Sequence, residues 1–130
     1  MAKKEYYING IRMIPTEDEE QTVLFSWAKL NEWRWPELEW MYHIPNGGKR
    51  TKSEAARFRA MGVKAGVSDI FLPCARGPYH GLYIELKALD GKPSKEQTEF
   101  IDAVTKQGFC CHVCYGADEA MKTIEKYMTM

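Results

Sequence analysis

Two apolar segments of the sequence carry acidic residues at positions where a buried strand normally carries none. Asp69 lies within segment 66–72, Glu85 lies within segment 81–87, and Lys87 follows two positions later. Side chains alternate between the two faces of a strand, so Glu85 and Lys87 share one face. If the two segments pair as a hairpin, Asp69 approaches Glu85, and two carboxylates beside a lysine form a site for a divalent cation. That arrangement is suited to metal-dependent hydrolysis of a phosphodiester bond.

The spacing of an acidic residue and a lysine is weak evidence by itself, because it occurs twice in the chain. Asp90 and Lys92 lie in a turn with glycine and proline, where both charges are free to hydrate. Glu85 and Lys87 instead lie among apolar neighbours, where an unpaired charge is costly. A structural ion pair is the alternative interpretation. Asp69 favours the metal site, because it adds like charge that a dication would neutralise.

Two further polar residues lie near predicted helix starts. Glu20 shares a helical face with Leu24, so we expect its carboxylate to reach the metal region or its water shell. The alternative is that it only complements the helix dipole, as the neighbouring acidic residues do. Gln97 follows Ser94 in the Ser-x-x-Gln pattern of a capping box. A role for Gln97 in orienting substrate or water is an equal alternative to that cap.

Basic residues are concentrated in one segment, although the chain as a whole is neutral. The 130 residues include 18 Lys and Arg and 18 Asp and Glu. A local basic patch on a neutral protein suits reversible contact with phosphates, and a solvated helix face is the alternative. The glycine-containing loop 46–50 also offers backbone amides to an anion. The predicted phosphate-binding residues are Asn46, Gly47, Gly48, Lys49, Arg50, Lys52, Arg57 and Lys64.

The remaining pattern predicts one α/β domain. No stretch approaches the roughly 20 apolar residues of a membrane span, and the first residues lack the apolar core of a signal peptide. The four cysteines are spaced for neither a disulfide nor a zinc site along a strand, so we expect free thiols. We expect His43 to be a satisfied core residue rather than a catalyst. Segment 33–36 is expected to form the edge of the core, and a dimer contact or a DNA-stacking element is the alternative.

The predicted elements alternate between helices and strands. A capping box of Thr16 and Glu19 starts a helix that runs to about residue 33. Apolar residues recur in it at helical spacing: Val23, Leu24, Trp27 and Leu30. The later elements are a strand 40–44, a helix 54–61 capped by Ser53, strands 67–72 and 82–87, a helix from Ser94 to residue 107, a strand 110–115 and a helix 117–127.

These residues together resemble the VRR-NUC branch of the PD-(D/E)xK nuclease superfamily, in its small stand-alone phage or bacterial form. The matching stretches are 19–21 with Leu24 and Trp27, 43–48, 66–72, 80–87 and 94–97. Ser68 stands where the superfamily has a proline. The resemblance implies a restriction-endonuclease-like single domain over residues 1–130, with a central mixed four-stranded sheet flanked by helices. Its αβββαβ core would carry one extra helix after the first strand.

The resemblance also implies an activity and roles for individual residues. The chain would be a Mg²⁺- or Mn²⁺-dependent endodeoxyribonuclease. Asp69, Glu85 and the backbone carbonyl of Leu86 would bind the metal. Glu20 would act through a second metal or a water molecule. Lys87 would position the attacking water or help to deprotonate it, and Gln97 would support the site.

Stand-alone members of the family resemble archaeal Holliday-junction resolvases, which implies a substrate and an assembly. We expect a homodimer that cuts branched DNA such as a four-way junction, in the cytoplasm of a bacterium or of a phage-infected cell. The alternatives are a nick- or flap-directed or nonspecific phage nuclease, and a DNA-binding module without catalytic activity. The intact set of Glu20, Asp69, Glu85 and Lys87 argues against the last of these.

Overall fold

A four-stranded mixed sheet forms the centre of the protein. The computed structural model describes residues 6–46 and 50–130. In chain order the elements are β1 (Tyr7–Ile8), β2 (Ile11–Arg12), α1 (Glu17–Leu30), a 3₁₀ helix (Pro36–Trp40), β3 (Tyr42–His43), α2 (Lys52–Ala60), β4 (Ile70–Leu72), β5 (Leu82–Lys87), α3 (Lys95–Thr105), β6 (Cys110–Tyr115) and α4 (Ala117–Met128). The sheet order is β3-β4-β5-β6. The predicted mixed sheet and αβββαβ core, with α2 as the extra helix, are confirmed.

The pairing of the strands sets the positions of the acidic residues. β3–β4 and β4–β5 are antiparallel, whereas β5–β6 is parallel. Within the β4–β5 hairpin, Leu72 lies opposite Leu82 and Ile70 lies opposite Ile84. One further step along this register brings Asp69, which directly precedes β4, opposite Glu85. The predicted hairpin is therefore present, and its register brings the two carboxylate-bearing positions face to face.

One face of the sheet packs against α1 and α4. Leu24 and Ala28 of α1, Ile84 of β5 and Ile124 of α4 are each at most 3% exposed and belong to one hydrophobic core. Burying a side chain the size of leucine or isoleucine stabilises a fold by roughly 1.5–3 kcal/mol. This packing fixes α1 across the strands that carry Asp69 and Glu85.

Several predicted details differ from the structure. Val23 and Leu30, counted as part of the apolar face of α1, are 51% and 76% exposed. The expected strand 40–44 is reduced to Tyr42–His43, because the preceding residues form the 3₁₀ helix, with Pro36 at its start. Proline has a preset φ angle and is well tolerated at a first helical position.

The N-terminal cap of α2 also differs. Thr51, not Ser53, caps this helix, and Thr51 and Glu54 form a reciprocal capping box. The Thr-x-x-Glu spacing satisfies two backbone amides at once, whereas a cap at Ser53 would have offered no such pair.

The first two strands were not predicted at all. β1 and β2 form a hairpin whose turn residues Asn9 and Gly10 have φ angles of 50° and 77°. Positive φ at both central positions is what a two-residue type I′ turn requires, and Asn-Gly is its preferred sequence. The dipeptide between Ile8 and Ile11 was therefore a readable signal for this hairpin.

The remaining expectations concern side chains and membrane association. All four cysteines are free. Trp35 packs against the core, as expected for segment 33–36, but Trp33 is 80% exposed. None of the helices within the described residues has the length and apolar character needed to cross a membrane.

Candidate active site

Asp69 is held by hydrogen bonds to both its carboxylate and its backbone. Its Oδ2 accepts a hydrogen bond from the Leu86 N–H at 2.9 Å. Its backbone oxygen accepts from the Ile44 N–H at 2.6 Å and from His43 Nδ1 at 2.8 Å. Because a carbonyl oxygen can only accept, Nδ1 of His43 carries a hydrogen and donates it to Asp69. His43 is exposed and is not the core residue that the sequence suggested. The Asp69 carboxylate is therefore oriented by β5, while its backbone is fixed by β3.

Glu85 is a completely buried carboxyl group without a hydrogen-bond partner. Its exposure is 0%, and neither side-chain oxygen has a partner among the described residues. The closest cation is the Lys87 ammonium, with Nζ 3.9 Å from Oε2. Burial, together with the neighbouring Asp69 carboxyl, raises the pKa of Glu85 to about 9, although the Lys87 ammonium opposes the rise. A buried polar group in this condition calls for a specific explanation.

Lys87 acts on carboxyl groups from two different elements. Its side chain is 11% exposed. Burial raises the pKa of the Glu17 carboxyl, the Lys87 ammonium opposes this shift, and Asp69 adds to it. Lys87 thus couples electrostatically to Glu85 on its own strand and to Glu17 on α1. The amine and the three carboxyl groups form one interacting cluster.

A cavity of about 390 Å³ opens beside this cluster. Its lining residues come from the first turns of α1, from the end of β3 and the segment after it, from the position before β4, and from β5: Glu17, Asp18, Gln21, His43, Pro45, Asp69 and Leu86. Glu17 and Gln21 are one helical turn apart, which brings their side chains to the same face of α1. The cavity therefore has an acidic wall on α1 and an acidic residue at the sheet edge.

Comparisons with known proteins identify the family to which this chain belongs. The sequence profile of the VRR-NUC domain matches residues 15–118. The chain belongs to the VRR-NUC domain family. A solved structure described as a VRR_NUC domain protein is 38% identical, covers 88% of this chain and 89% of its own, and superposes with a TM-score of 0.78. No curated protein matches the sequence. Membership in the VRR-NUC family implies a nuclease-type function in DNA processing.

The carboxylates that α1 contributes to the cavity of this VRR-NUC domain are those of Glu17 and Asp18, and Glu17 is the one that interacts with Lys87 and Asp69. Glu20, the predicted candidate, is not among the residues that line this cavity. Its Oε2 is 2.6 Å from the position that a β-carbon on Gly116 would occupy. Gly116 is the N-cap residue of α4 and has a φ angle of 90°. The Glu20 carboxylate therefore lies near the N-terminus of α4, where a helix dipole stabilises negative charge. Sequence reasoning assigned Glu17 only to the helix dipole.

Gln97 forms the capping box that was the structural alternative for it. Its side-chain oxygen accepts from the Ser94 N–H at 2.7 Å, and the Gln97 N–H donates to the Ser94 hydroxyl at 3.2 Å. The same helix start packs tightly on Gly66, where an added β-carbon would lie 2.3 Å from the Glu96 carbonyl oxygen. A role for Gln97 in supporting the site remains a prediction.

Part of the predicted phosphate-binding loop of the VRR-NUC domain can be described. Gly47, Gly48 and Lys49 lie outside the described residues. The Asn46 side-chain amide donates to the backbone carbonyl of Lys64. This contact ties the loop after β3 to the segment before β4, so the loop begins beside the cavity that contains His43 and Pro45.

The basic residues that follow this loop lie on a helix with little burial. Every residue of α2 is exposed or half-buried, and Lys52 and Arg57 are exposed. The Arg50 guanidinium lies 4.4 Å from the centre of the Phe58 ring, a cation–π contact that orients it. These cations are accessible, which a phosphate-binding role requires.

The donor set at the site fits a divalent cation. Among residues 6–46 and 50–130, no three His, Cys, Asp or Glu side chains already converge as a metal-binding group. The predicted ligand set needs only two, Asp69 and Glu85, together with a backbone carbonyl. Mg²⁺ is often bound through one or two carboxylates and retains several waters. The unpartnered oxygens of Glu85 opposite Asp69 are the feature that a cation would satisfy.

Proposed function

We propose that this chain is a Mg²⁺- or Mn²⁺-dependent endodeoxyribonuclease, built as a single domain over residues 1–130. One observation carries the proposal: a fully buried carboxyl group without a hydrogen-bond partner, Glu85, lies opposite Asp69 with Lys87 on the same strand. Buried ion pairs are rarely favourable for stability alone, and this one leaves the Glu85 carboxyl unsatisfied. A functional site is where such a local conflict is expected.

Asp69 and Glu85 bind the cation, with the backbone carbonyl of Leu86 as the third protein ligand. The Leu86 N–H fixes Oδ2 of Asp69, which orients the carboxylate before any metal arrives. Glu85 is dehydrated and has its oxygens unpaired, so it loses no protein hydrogen bond on binding. When bound, the cation supplies positive charge for the scissile phosphate and lowers the pKa of water.

Lys87 and Glu17 complete the site from two sides. The Lys87 ammonium is a fixed positive charge between carboxyl groups of α1 and β5, where it orients the attacking water and the phosphate. Glu17, rather than Glu20, serves as the α1 carboxylate, because it lines the cavity and interacts with both Lys87 and Asp69. Glu17 accepts hydrogen bonds from water in the cavity, with Gln21 beside it.

The basic segment grips the DNA backbone. Arg50, Lys52 and Arg57 contact phosphates through their charge, together with Asn46, Lys64 and residues 47–49. Backbone contacts of this kind carry no sequence information, and they weaken as salt concentration rises. The surface that contacts DNA is short, because the basic residues are confined to this segment and the chain as a whole has no net positive charge.

The preferred substrate is branched DNA such as a four-way junction, and the active form is a homodimer. A small domain with one basic segment has little surface for a long duplex, whereas two copies supply two sites across a junction. A mass matching a monomer in light scattering at micromolar concentration would contradict the dimer. Charge and surface area support this part of the proposal, together with the family resemblance.

The decisive experiment compares DNA structures and variants. Labelled linear duplex, nicked, flap and four-way-junction DNA are incubated with Mg²⁺ or Mn²⁺ and with Asp69→Asn, Glu85→Gln or Lys87→Met. We expect paired, symmetric cuts in the junction and at least 100-fold loss in each variant. Preferred cleavage of nicks or flaps would support the nick- or flap-directed alternative, and equal cleavage of all substrates a nonspecific nuclease. Binding without cleavage, unchanged by Asp69→Asn, would leave only a DNA-binding module.

A further inference from the structure

The guanidinium of Arg12, in β2, uses all five of its N–H donors. Nε donates to the Ile14 carbonyl at 3.0 Å and Nη2 to the Pro15 carbonyl at 2.9 Å. The two terminal nitrogens also bind the Asp90 carboxylate, at 2.9 and 3.2 Å. Nη1 donates to the Tyr7 hydroxyl at 3.1 Å, and that hydroxyl donates to Asp90 at 3.0 Å. We call Tyr7, Arg12 and Asp90 the Arg12 clasp.

The Arg12 clasp joins the two elements that supply the active site. Ile14 and Pro15 directly precede Thr16, the N-cap residue of α1. Asp90 follows Lys87, the last residue of β5, by three positions. One guanidinium therefore connects the entry to α1 with the exit from β5. Bidentate contacts of this kind fix geometry as well as contributing energy.

Glu17 lies between the clasp and the acidic cavity. A second cavity of about 360 Å³ has two of the three clasp residues and the start of α1 in its wall: Arg12, Thr16, Glu17, Asp18, Ala88 and Asp90. Glu17 and Asp18 line this cavity and the one that contains Asp69. Any change in the separation of α1 from the end of β5 would move Glu17 relative to Lys87.

A phosphate-binding role does not account for Arg12. Each of its donors already has a protein acceptor, and the Asp90 side chain is only 10% exposed. The hairpin that carries Tyr7 and Arg12 also precedes the part of the chain matched by the family profile, 15–118. Tyr7 and Arg12 therefore come from the N-terminal segment ahead of that match, whereas Asp90 lies within it.

We propose that Arg12 and Asp90 are positioning residues of the nuclease site. They hold the first turn of α1 against the end of β5, and so set the position of the Glu17 carboxylate relative to Lys87 and Asp69. This inference rests on the proposed function, because it assumes that Glu17 acts in DNA cleavage. Neither residue contacts the reacting groups.

The test uses two conservative variants and a matched control. Asp90→Asn keeps the size of the side chain but removes its charge, and Arg12→Lys keeps the charge but cannot make the five contacts. As a control, Glu125→Gln removes a single-contact ion pair, with Arg34 at 3.1 Å, from the surface of α4. For each protein we measure kcat and KM on the best DNA substrate, together with amide hydrogen exchange at residues 17–21.

In both clasp variants we expect kcat to fall by roughly tenfold or more, because displacement of a site group by about 1 Å can cost 100-fold. KM should stay within about twofold, and exchange at the start of α1 should accelerate. The double variant Arg12→Lys/Asp90→Asn should be no worse than the more impaired single variant. Glu125→Gln should match the wild type in all three quantities.

The outcomes separate the two proposals. If the wild type cleaves DNA and both clasp variants keep its kcat, the positioning role is overturned, whatever the exchange rates are. A uniform loss of stability with slow exchange retained at residues 17–21 would equally overturn it. If the wild type cleaves no DNA with either metal, the proposed function fails. The clasp is then judged by exchange alone, and unchanged protection in both variants refutes it.

Discussion

The buried carboxyl group of Glu85 makes the stability of the metal-free VRR-NUC domain dependent on pH. Burial raises its pKa in the folded state from 4.5 to about 9. The folded protein therefore binds one more proton than the unfolded chain between these two values. The stabilisation is fully present below pH 4.5 and is lost as the pH rises towards 9.

The size of the effect follows from this difference in bound protons. One excess proton in the folded state lowers the free energy of unfolding by about 1.4 kcal/mol for each unit of pH. Between pH 6 and pH 8 the expected loss from Glu85 is roughly 3 kcal/mol. This is a large share of the free energy of unfolding of a typical domain, which is about 5–15 kcal/mol.

Urea denaturation in EDTA at pH 6, 7 and 8 measures this dependence directly. Other titrating groups also contribute, so the informative quantity is the difference between the wild type and Glu85→Gln. The variant keeps the shape of the side chain but cannot ionise, and its stability should change less with pH. At pH 8 it should be more stable than the metal-free wild type.

Divalent metal should remove the difference in stability between the wild type and Glu85→Gln at high pH. If Asp69 and Glu85 bind Mg²⁺ or Mn²⁺, saturating metal favours the ionised carboxyl and should stabilise the wild type most at high pH. Parallel pH profiles of the wild type and Glu85→Gln in EDTA would refute the assignment of a raised pKa. Equal stabilisation of both proteins by Mn²⁺ would refute Glu85 as a ligand.

Three further predictions follow from individual contacts. Glu17→Gln should reduce cleavage at least tenfold and Glu20→Gln less than threefold, in single-turnover assays; equal losses would contradict the choice of Glu17. Gly66→Ala should lower the free energy of unfolding by at least about 2 kcal/mol in urea, because φ is +89° and the new β-carbon would meet the Glu96 carbonyl at 2.3 Å. A loss below 1 kcal/mol would show that this contact relaxes easily, on the same rough scale. Ser94→Ala should cost about 1 kcal/mol through loss of the α3 cap, and unchanged stability would argue against that cap.

Two strands, β5 and β6, could be predicted from the sequence with their bounds, whereas β4 is shorter (Ile70–Leu72) than the predicted strand 67–72. β5 and β6 have the predicted limits, because each is a continuous run of strand-forming residues between turn signals. The approach of Asp69 to Glu85 followed from the antiparallel pairing of β4 with β5 and from the register of that pair. Once the hairpin register was given, no other arrangement of these two positions was available.

The N-terminal hairpin could not be predicted from the pattern of apolar and polar residues, because its strands are too short. β1 and β2 contain two residues each, too few for alternation of apolar and polar residues to be visible. Only the turn sequence Asn9-Gly10 marks them. Asp90 was dismissed as a hydrated turn residue for a related reason: its partner Arg12 is distant in the chain, and pairing across that distance leaves no local pattern.

The choice between Glu17 and Glu20 illustrates a deeper difference between strands and helices. Side chains alternate strictly between the two faces of a strand, so one buried residue fixes the face on which each of the remaining residues lies. A helix advances by about 100° per residue, and Glu17 and Glu20 therefore differ by only about 60° around the axis. If the buried direction of α1 is taken as midway between Leu24 and Trp27, Glu20 lies within about 10° of it around the helix axis. This explains why the sequence favoured Glu20.

The rotation of α1 is set by a smaller residue. Ala28 is 3% exposed and Leu24 is 0% exposed, whereas Trp27 is only partly buried. Around the helix axis, the direction midway between Leu24 and Ala28 coincides with that of Glu17 to within about 10°. Glu20 lies about 60° away from this direction. A tryptophan at the margin of a core can cover apolar surface from the side, so its presence constrains helix rotation weakly. A buried alanine must lie against its neighbour, and its position therefore identifies the face of α1, and with it Glu17, that is directed to the site.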